Sequence, residues 1–193
     1  YKENIILFQP LENITSSFIS QYIRLLYPAL LNSEDGVIIT DIDMIPLNST
    51  YYTDNIRNYE KDKFVYYKGW YYQPPPQYSM CYNIATSKTW SEIFDIHSKE
   101  DIIIRLKERF SDCWCRDQED LYIYINKWLK KETHFIMLND KITNYNRICR
   151  SQFRGLNNKI INDIKSRKYT DYHMLRPHSG NNKKINEKIL QCL

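Results

Sequence analysis

Short apolar runs alternate along the chain with stretches in which apolar residues return every three or four positions. Residues 4–8 (NIILF) form a run closed by Pro10, which predicts a buried strand. Over residues 15–31, Phe18, Tyr22, Leu25, Leu26 and Ala29 give one apolar helical face, with Pro28 disturbing the last turn. Turn-forming residues 32–36 lead into VIIT, residues 37–40, a β-branched run typical of a strand covered on both sides. Strand, helix and strand with short connections predict a right-handed βαβ unit. The expected fold is α/β, with a central, mostly parallel sheet flanked by helices.

Farther on, residues 63–67 (KFVYY) and 79–85 (SMCYNIA) read as strands, separated by GWYYQPPPQY over residues 69–78. Three successive prolines donate no amide hydrogen and hold an extended backbone, so that segment is a loop. Helices are predicted over residues 86–96, with Thr86 or Ser87 as cap, and over 99–110 and 117–129. Residues 135–138 (FIML) make a last clear strand. Residues 181–193 form a closing amphipathic helix through Ile185, Ile189 and Leu190. No repeat or long linker divides the 193 residues, so residues 1–193 are read as one domain.

Composition narrows the function. The net charge of +4 is spread along the chain, which suits a phosphorylated small ligand and lacks the basic stripe that nucleic acid demands. Four glycines leave no phosphate-binding loop. No run approaches the ~20 apolar residues of a membrane span, and no signal peptide is visible. Five cysteines, an odd number without paired CxxC units, are those of a reduced, soluble, cytoplasmic protein. Cys113 and Cys115 read as core sulfur without a redox role. Seventeen tyrosines suit sugar binding but serve half-buried sheets equally well.

The sharpest pattern is GVIITDIDMIPLN, residues 36–48. An apolar strand delivers Asp41 and Asp43 at its C-terminal end, the edge where open α/β sheets bind ligands. In an extended chain, residues two apart point the same way, so both acids face one ion. Hard oxygen ligands suit Mn²⁺ or Mg²⁺, which commonly bridge carboxylates to phosphates. Two neighbouring carboxylates without a cation repel and are costly to bury. The plainer alternative is a solvated acidic turn.

An apolar strand ending in Asp-x-Asp, after a helix reading QYIRLLYPALL (residues 21–31), resembles metal-dependent glycosyltransferases of the GT-A fold. The similarity runs over residues 14–48 and returns in patches to about residue 180. It extends to the small glycosyltransferases of large DNA viruses such as chlorella viruses. The resemblance implies transfer of a hexose from a nucleotide diphosphate sugar, by family habit a UDP-sugar, to a glycan or glycoprotein acceptor. Asp43 matches the main metal ligand, and Asp41 contacts the donor or the metal.

The same resemblance assigns DCWCRDQEDLYIYI, residues 112–125, to the acceptor side. Asp117, Glu119 and Asp120 are its catalytic candidates, since transfer needs a carboxylate that strips the acceptor hydroxyl's proton. Equally, Asp117 serves as a helix cap, with Glu119 and Asp120 favouring the positive end of the helix dipole. In DYHMLRPHSGNN, residues 171–182, the resemblance implies a histidine completing the metal site: His173 first, His178 second. Arg176 is placed on donor phosphate. Arg24 either reaches the donor or pairs with a structural carboxylate. Trp70, Tyr72, Tyr82 and Asn83 are the acceptor-side candidates, with Tyr71 beside them.

One departure stands out. Complete GT-A domains carry further elements before the Asp-x-Asp strand, which hold the nucleotide base, and only forty residues precede Asp41. Set against the resemblance, either the natural chain is longer at its N-terminus or residues 1–193 lack N-terminal elements of the nucleotide-binding half. Two rivals remain. One is a haloacid-dehalogenase-like sugar-phosphate phosphatase, though Met44 and Ile45 stand where that family has a small pair. The other is a non-catalytic sugar-nucleotide-binding module.

Overall fold

A computed structural model of the protein describes residues 5–69, 76–130 and 132–193. Helix α1 (Ser16–Leu26) begins where the Thr15 hydroxyl accepts the Phe18 amide at 3.3 Å, and it buries Phe18, Ile19, Tyr22, Leu25 and Leu26. Pro28 ends it as expected, in a 3₁₀ turn over Tyr27–Leu30. Then follow β1 (Val37–Ile39), β2 (Met44–Pro46), α2 (Ser49–Asp54), β3 (Phe64–Tyr66), β4 (Asn83–Ala85) and α3 (Ser87–Phe94). Next come α4 (Lys99–Arg109), α5 (Arg116–Trp128), β5 (Phe135–Met137), α6 (Asp140–Thr143) and β6 (Arg147–Ile148). The last elements are α7 (Asn158–Lys165), β7 (Asp171–His173) and α8 (Gly180–Leu190). Among the described residues no helix is long and apolar enough to cross a membrane.

The fold is mixed α/β, but the expected central parallel sheet is absent. Two small sheets stand in its place, one ordered β1-β4-β3-β5 and the other β2-β7-β6. In the first, β4 runs antiparallel to both β1 and β3, and only β3 and β5 are parallel. In the second, β2 and β7 are antiparallel and β6 and β7 parallel. The predicted βαβ unit fails at its first strand. Ile5, Ile6 and Leu7 are exposed and form no ladder, so β1 takes β4 as its neighbour instead. Nor is β1 covered on both faces, because it lies at the sheet edge with Ile38 exposed.

Alternation in β3 divides the core. Phe64 and Tyr66 face a cluster with Tyr22, Leu25, Trp90, Phe94, Ile102 and Leu121, built by α1, α3, α4 and α5. Val65 faces the opposite way, into a cluster with Tyr51, Tyr67, Tyr82 and Ile84 under α2. A third cluster, including Leu47, Ile148, Ile164, Tyr172 and Ile189, joins the second sheet to α7 and α8. Much of the tyrosine content is accounted for here: Tyr22, Tyr66, Tyr67, Tyr82 and Tyr172 are essentially fully buried.

Candidate functional site

The Asp-x-Asp segment is the chain's passage from one sheet to the other. After β1 the Met44 amide donates to the Asp41 carbonyl at 3.0 Å, closing a turn that aims Ile42 into solvent. The two aspartates therefore share a side through a turn, not through the expected extended alternation. Strand β2 then pairs with β7 so that Met44 lies opposite His173, and the Met174 amide donates to the Asp43 carbonyl at 2.9 Å. This register sets His173 Nε2 at 3.3 Å from Asp43 Oδ2.

Arginines complete the cluster. From α1, Arg24 forks between two carboxylates, Nη1 on Asp41 Oδ1 and Nη2 at 2.6 Å from Asp117 Oδ2, so the carboxylate pairing, one of the two roles expected for it, is the one seen. Arg150, just past β6, donates from Nη1 to Asp43 Oδ2 at 2.9 Å. Arg176, just past β7, brings Nη2 to 2.5 Å from the same oxygen. The Cys81 thiol donates to Asp41 Oδ2 at 3.2 Å. The three aspartates, His173 and the three arginines line a cleft of about 290 Å³, together with Gln21, Ser79, Met80, Trp114 and Gln118, with Cys81 behind its wall. A roomier groove of about 1000 Å³ beside α3, holding Lys88 and His97, gathers no such cluster, so volume alone does not mark the site.

Three aspartates and three arginines nearly cancel in charge. Burial works to raise the Asp41 carboxyl, but the Arg24 bond and charge hold it below the ordinary aspartate value. At Asp117 burial wins and the carboxyl is raised, with Arg24 pulling the other way. Burial first, and then the Arg150 charge, depress His173, so its ring is neutral near pH 7 and has a lone pair to offer. Burial and the Asp41 charge push the Cys81 thiol up to about 11, which leaves it inert as a nucleophile.

No family model, curated protein or solved structure matches this chain. What the cleft can do therefore follows from its own donors and charges. Of the residues singled out by sequence, the structure gathers Asp41, Asp43, His173, Arg24, Arg176 and Asp117 in one place. His178 lies elsewhere, its Nδ1 3.0 Å from the Asn186 amide nitrogen. Asp120 lies outside the cleft lining; fully buried, it accepts from the Tyr22 hydroxyl and from both Nε and Nη2 of Arg109. Glu119 is held by Arg116 at 3.3 Å and faces Cys113 and Cys115. The Tyr82 hydroxyl is spent on Asp171, which Arg147 also grips through two bonds of 2.9 Å. Asn83 donates to the carbonyls of Ser79 and Met80 at 3.0 and 3.1 Å, bracing the cleft wall from behind. Trp70, Tyr71 and Tyr72 lie outside the described residues.

Arg150, Gln21, Trp114 and Cys81 carried no site signal in the sequence. Arg150 follows β6, a two-residue strand without readable periodicity, so nothing marked its approach to Asp43.

As a test of fit, the donor set of two carboxylates and one neutral imidazole has the chemistry for Mn²⁺ or Mg²⁺. Their ligating atoms are not gathered into a compact triad here, since the arginines sit on the carboxylate oxygens.

Proposed function

We propose that the chain is a metal-dependent glycosyltransferase, built on two small mixed sheets in place of a central parallel one. In this reading it moves a hexose from a nucleotide diphosphate sugar, most simply a UDP-sugar, to a glycan or glycoprotein acceptor. The supporting observation is the convergence of Asp41, Asp43 and His173 with Arg24, Arg150 and Arg176 in one cleft. A dication and a diphosphate dianion enter this balanced cluster together without leaving net charge behind, whereas either alone leaves an imbalance.

Asp41, Asp43 and His173 are the residues that would hold the metal, and the ion would supply positive charge there against the leaving diphosphate. Arg150 and Arg176 exchange Asp43 for phosphate oxygens, where a planar fork makes two charge-assisted bonds. Arg24 leaves Asp117 as it turns to the donor. The Asp117 carboxyl, raised by burial against the pull of Arg24, is the group that would accept the acceptor hydroxyl's proton. Trp114, exposed at the cleft edge, offers a flat face for a sugar ring.

The test is Mn²⁺-dependent transfer or hydrolysis of a UDP-sugar by Asp43→Ala. A single preorganised electrostatic contact contributes about 2.7–4 kcal/mol to a barrier, so a loss of at least ~10²–10³-fold is expected. Near wild-type turnover in a folded Asp43→Ala protein would sink the reading. Hydrolysis of a simple sugar phosphate, with no need of a nucleotide, would point to the phosphatase alternative.

A further inference from the structure

We propose that Cys113, Cys115 and Glu119 form a second metal site, separate from the cleft and suited to Zn²⁺. The sequence suggested core sulfur, yet both cysteines are only half-buried and face a carboxylate. Among the described residues this is the group whose three ligating atoms all lie within 4.8 Å of one another.

The geometry is that of a ligand face. Cys113 Sγ and Cys115 Sγ are 3.6 Å apart, and Glu119 Oε1 is 3.8 Å from the first and 3.9 Å from the second. A triangle with those sides has its centre about 2.2 Å from each corner, so an ion lifted slightly above the plane and displaced toward Oε1 reaches the ~2.3 Å Zn–S and ~2.0–2.2 Å Zn–O bonds of a tetrahedral site. The three residues are half-buried, and a water would take the fourth position.

Local folding builds this arrangement without strain. The Glu119 amide donates to the Cys115 carbonyl at 3.0 Å, so the first turn of α5 stacks the carboxylate over the thiol four residues earlier. The Arg116 amide donates to the Cys113 carbonyl at 3.3 Å, and the turn so closed brings the second thiol alongside. Arg116 Nη1 lies 3.3 Å from Glu119 Oε2, which orients the carboxylate and leaves Oε1 toward the sulfurs. Two thiolates and one carboxylate suit a borderline-soft ion and disfavour Mg²⁺ or Mn²⁺, the ions that fit the cleft.

Ligation displaces one proton from each thiol and clamps the segment ahead of α5 onto its first turn. Cys115, at the helix start, makes no side-chain capping bond, so the ion supplies a restraint that the chain otherwise lacks there. Residues 113–119 carry three cleft residues, Trp114, Asp117 and Gln118. Trp114 lies between the thiols with its carbonyl accepting from Gln21 at 3.4 Å, and Asp117 follows two residues after Cys115.

The test is titration of the reduced, metal-free full chain with Co²⁺, followed by Zn²⁺. One ion per chain is expected, with a thiolate-to-cobalt charge-transfer band and tetrahedral visible bands that Zn²⁺ erases. C113S/C115S should abolish the band. E119Q should weaken affinity at least ~10-fold, since even a lost outer partner costs that much. Asp43→Asn should leave the band in place, which separates this site from the cleft. A cobalt spectrum without thiolate character, one unchanged by C113S/C115S, or undiminished affinity in E119Q would overturn the assignment.

Discussion

Asp43 Oδ2 is approached by Arg150, Arg176 and His173 together, so any cation that takes this oxygen must displace others. Arg150→Ala should therefore tighten Mn²⁺ binding in the absence of nucleotide and weaken UDP binding in its presence, each by up to about fivefold at the ~0.2–1 kcal/mol scale of a partly exposed ion pair. Calorimetry on the two ligands separately reads both signs. His173 gives a pH signature. Its folded pKa lies below 6.5, held down by burial and then by Arg150, so between the two values the unfolded chain binds a proton that the folded chain does not. Stability thus falls as pH drops through about 6.5. The melting temperature of the metal-free protein should follow, and the fall should be shallower in His173→Gln. At this scale the sequence was informative where residue type carried the chemistry. The acidic pair and a histidine in the C-terminal patch were legible as candidates, and the structure brings Asp41, Asp43 and His173 into one cleft. Choosing His173 over His178 depends on the pairing of Met44 with His173, and the arrival of Arg150 on the position of β6, neither of which has a local signal.

Between elements, Asp120 is a brace. It lies in α5, takes both Nε and Nη2 of Arg109 from the end of α4, and accepts the Tyr22 hydroxyl from α1. Asp120→Ala strands the Arg109 guanidinium and should cost about 3–5 kcal/mol, measured by urea unfolding, as for other broken buried pairs. The folded fraction should keep its affinity for UDP. Selective loss of turnover at unchanged stability would instead make Asp120 part of the chemistry. Gly69 marks a close approach of another kind, its amide donating at 2.7 Å to the Leu138 carbonyl. A Cβ there would stand 2.7 Å from that carbonyl oxygen and 2.5 Å from Met137 Cγ, so Gly69→Ala should destabilise by about 1–3 kcal/mol. Helices α1, α3, α4 and α5 were legible because each repeats its apolar face over two or more turns. Strand direction was not, because three-residue strands contain no information about which neighbour they will meet. The β-branched run of β1 fits a half-covered edge as well as a buried centre.

Across the whole molecule, the cleft lies where the first sheet hands the chain to the second. The helical layer supplies Arg24 and Asp117, and the loops after β6 and β7 supply Arg150 and Arg176. The site is thus assembled from segments more than a hundred residues apart in sequence, held in one charge balance. Such a balance couples its ligands: metal and nucleotide should each raise the other's affinity by the same factor, as linkage requires. Calorimetric titration of UDP into the wild-type chain, with and without Mn²⁺, measures this factor directly. Tightening of at least ~10-fold by Mn²⁺, abolished in Asp43→Asn, is the predicted result. UDP affinity indifferent to both Mn²⁺ and Asp43→Asn would contradict it.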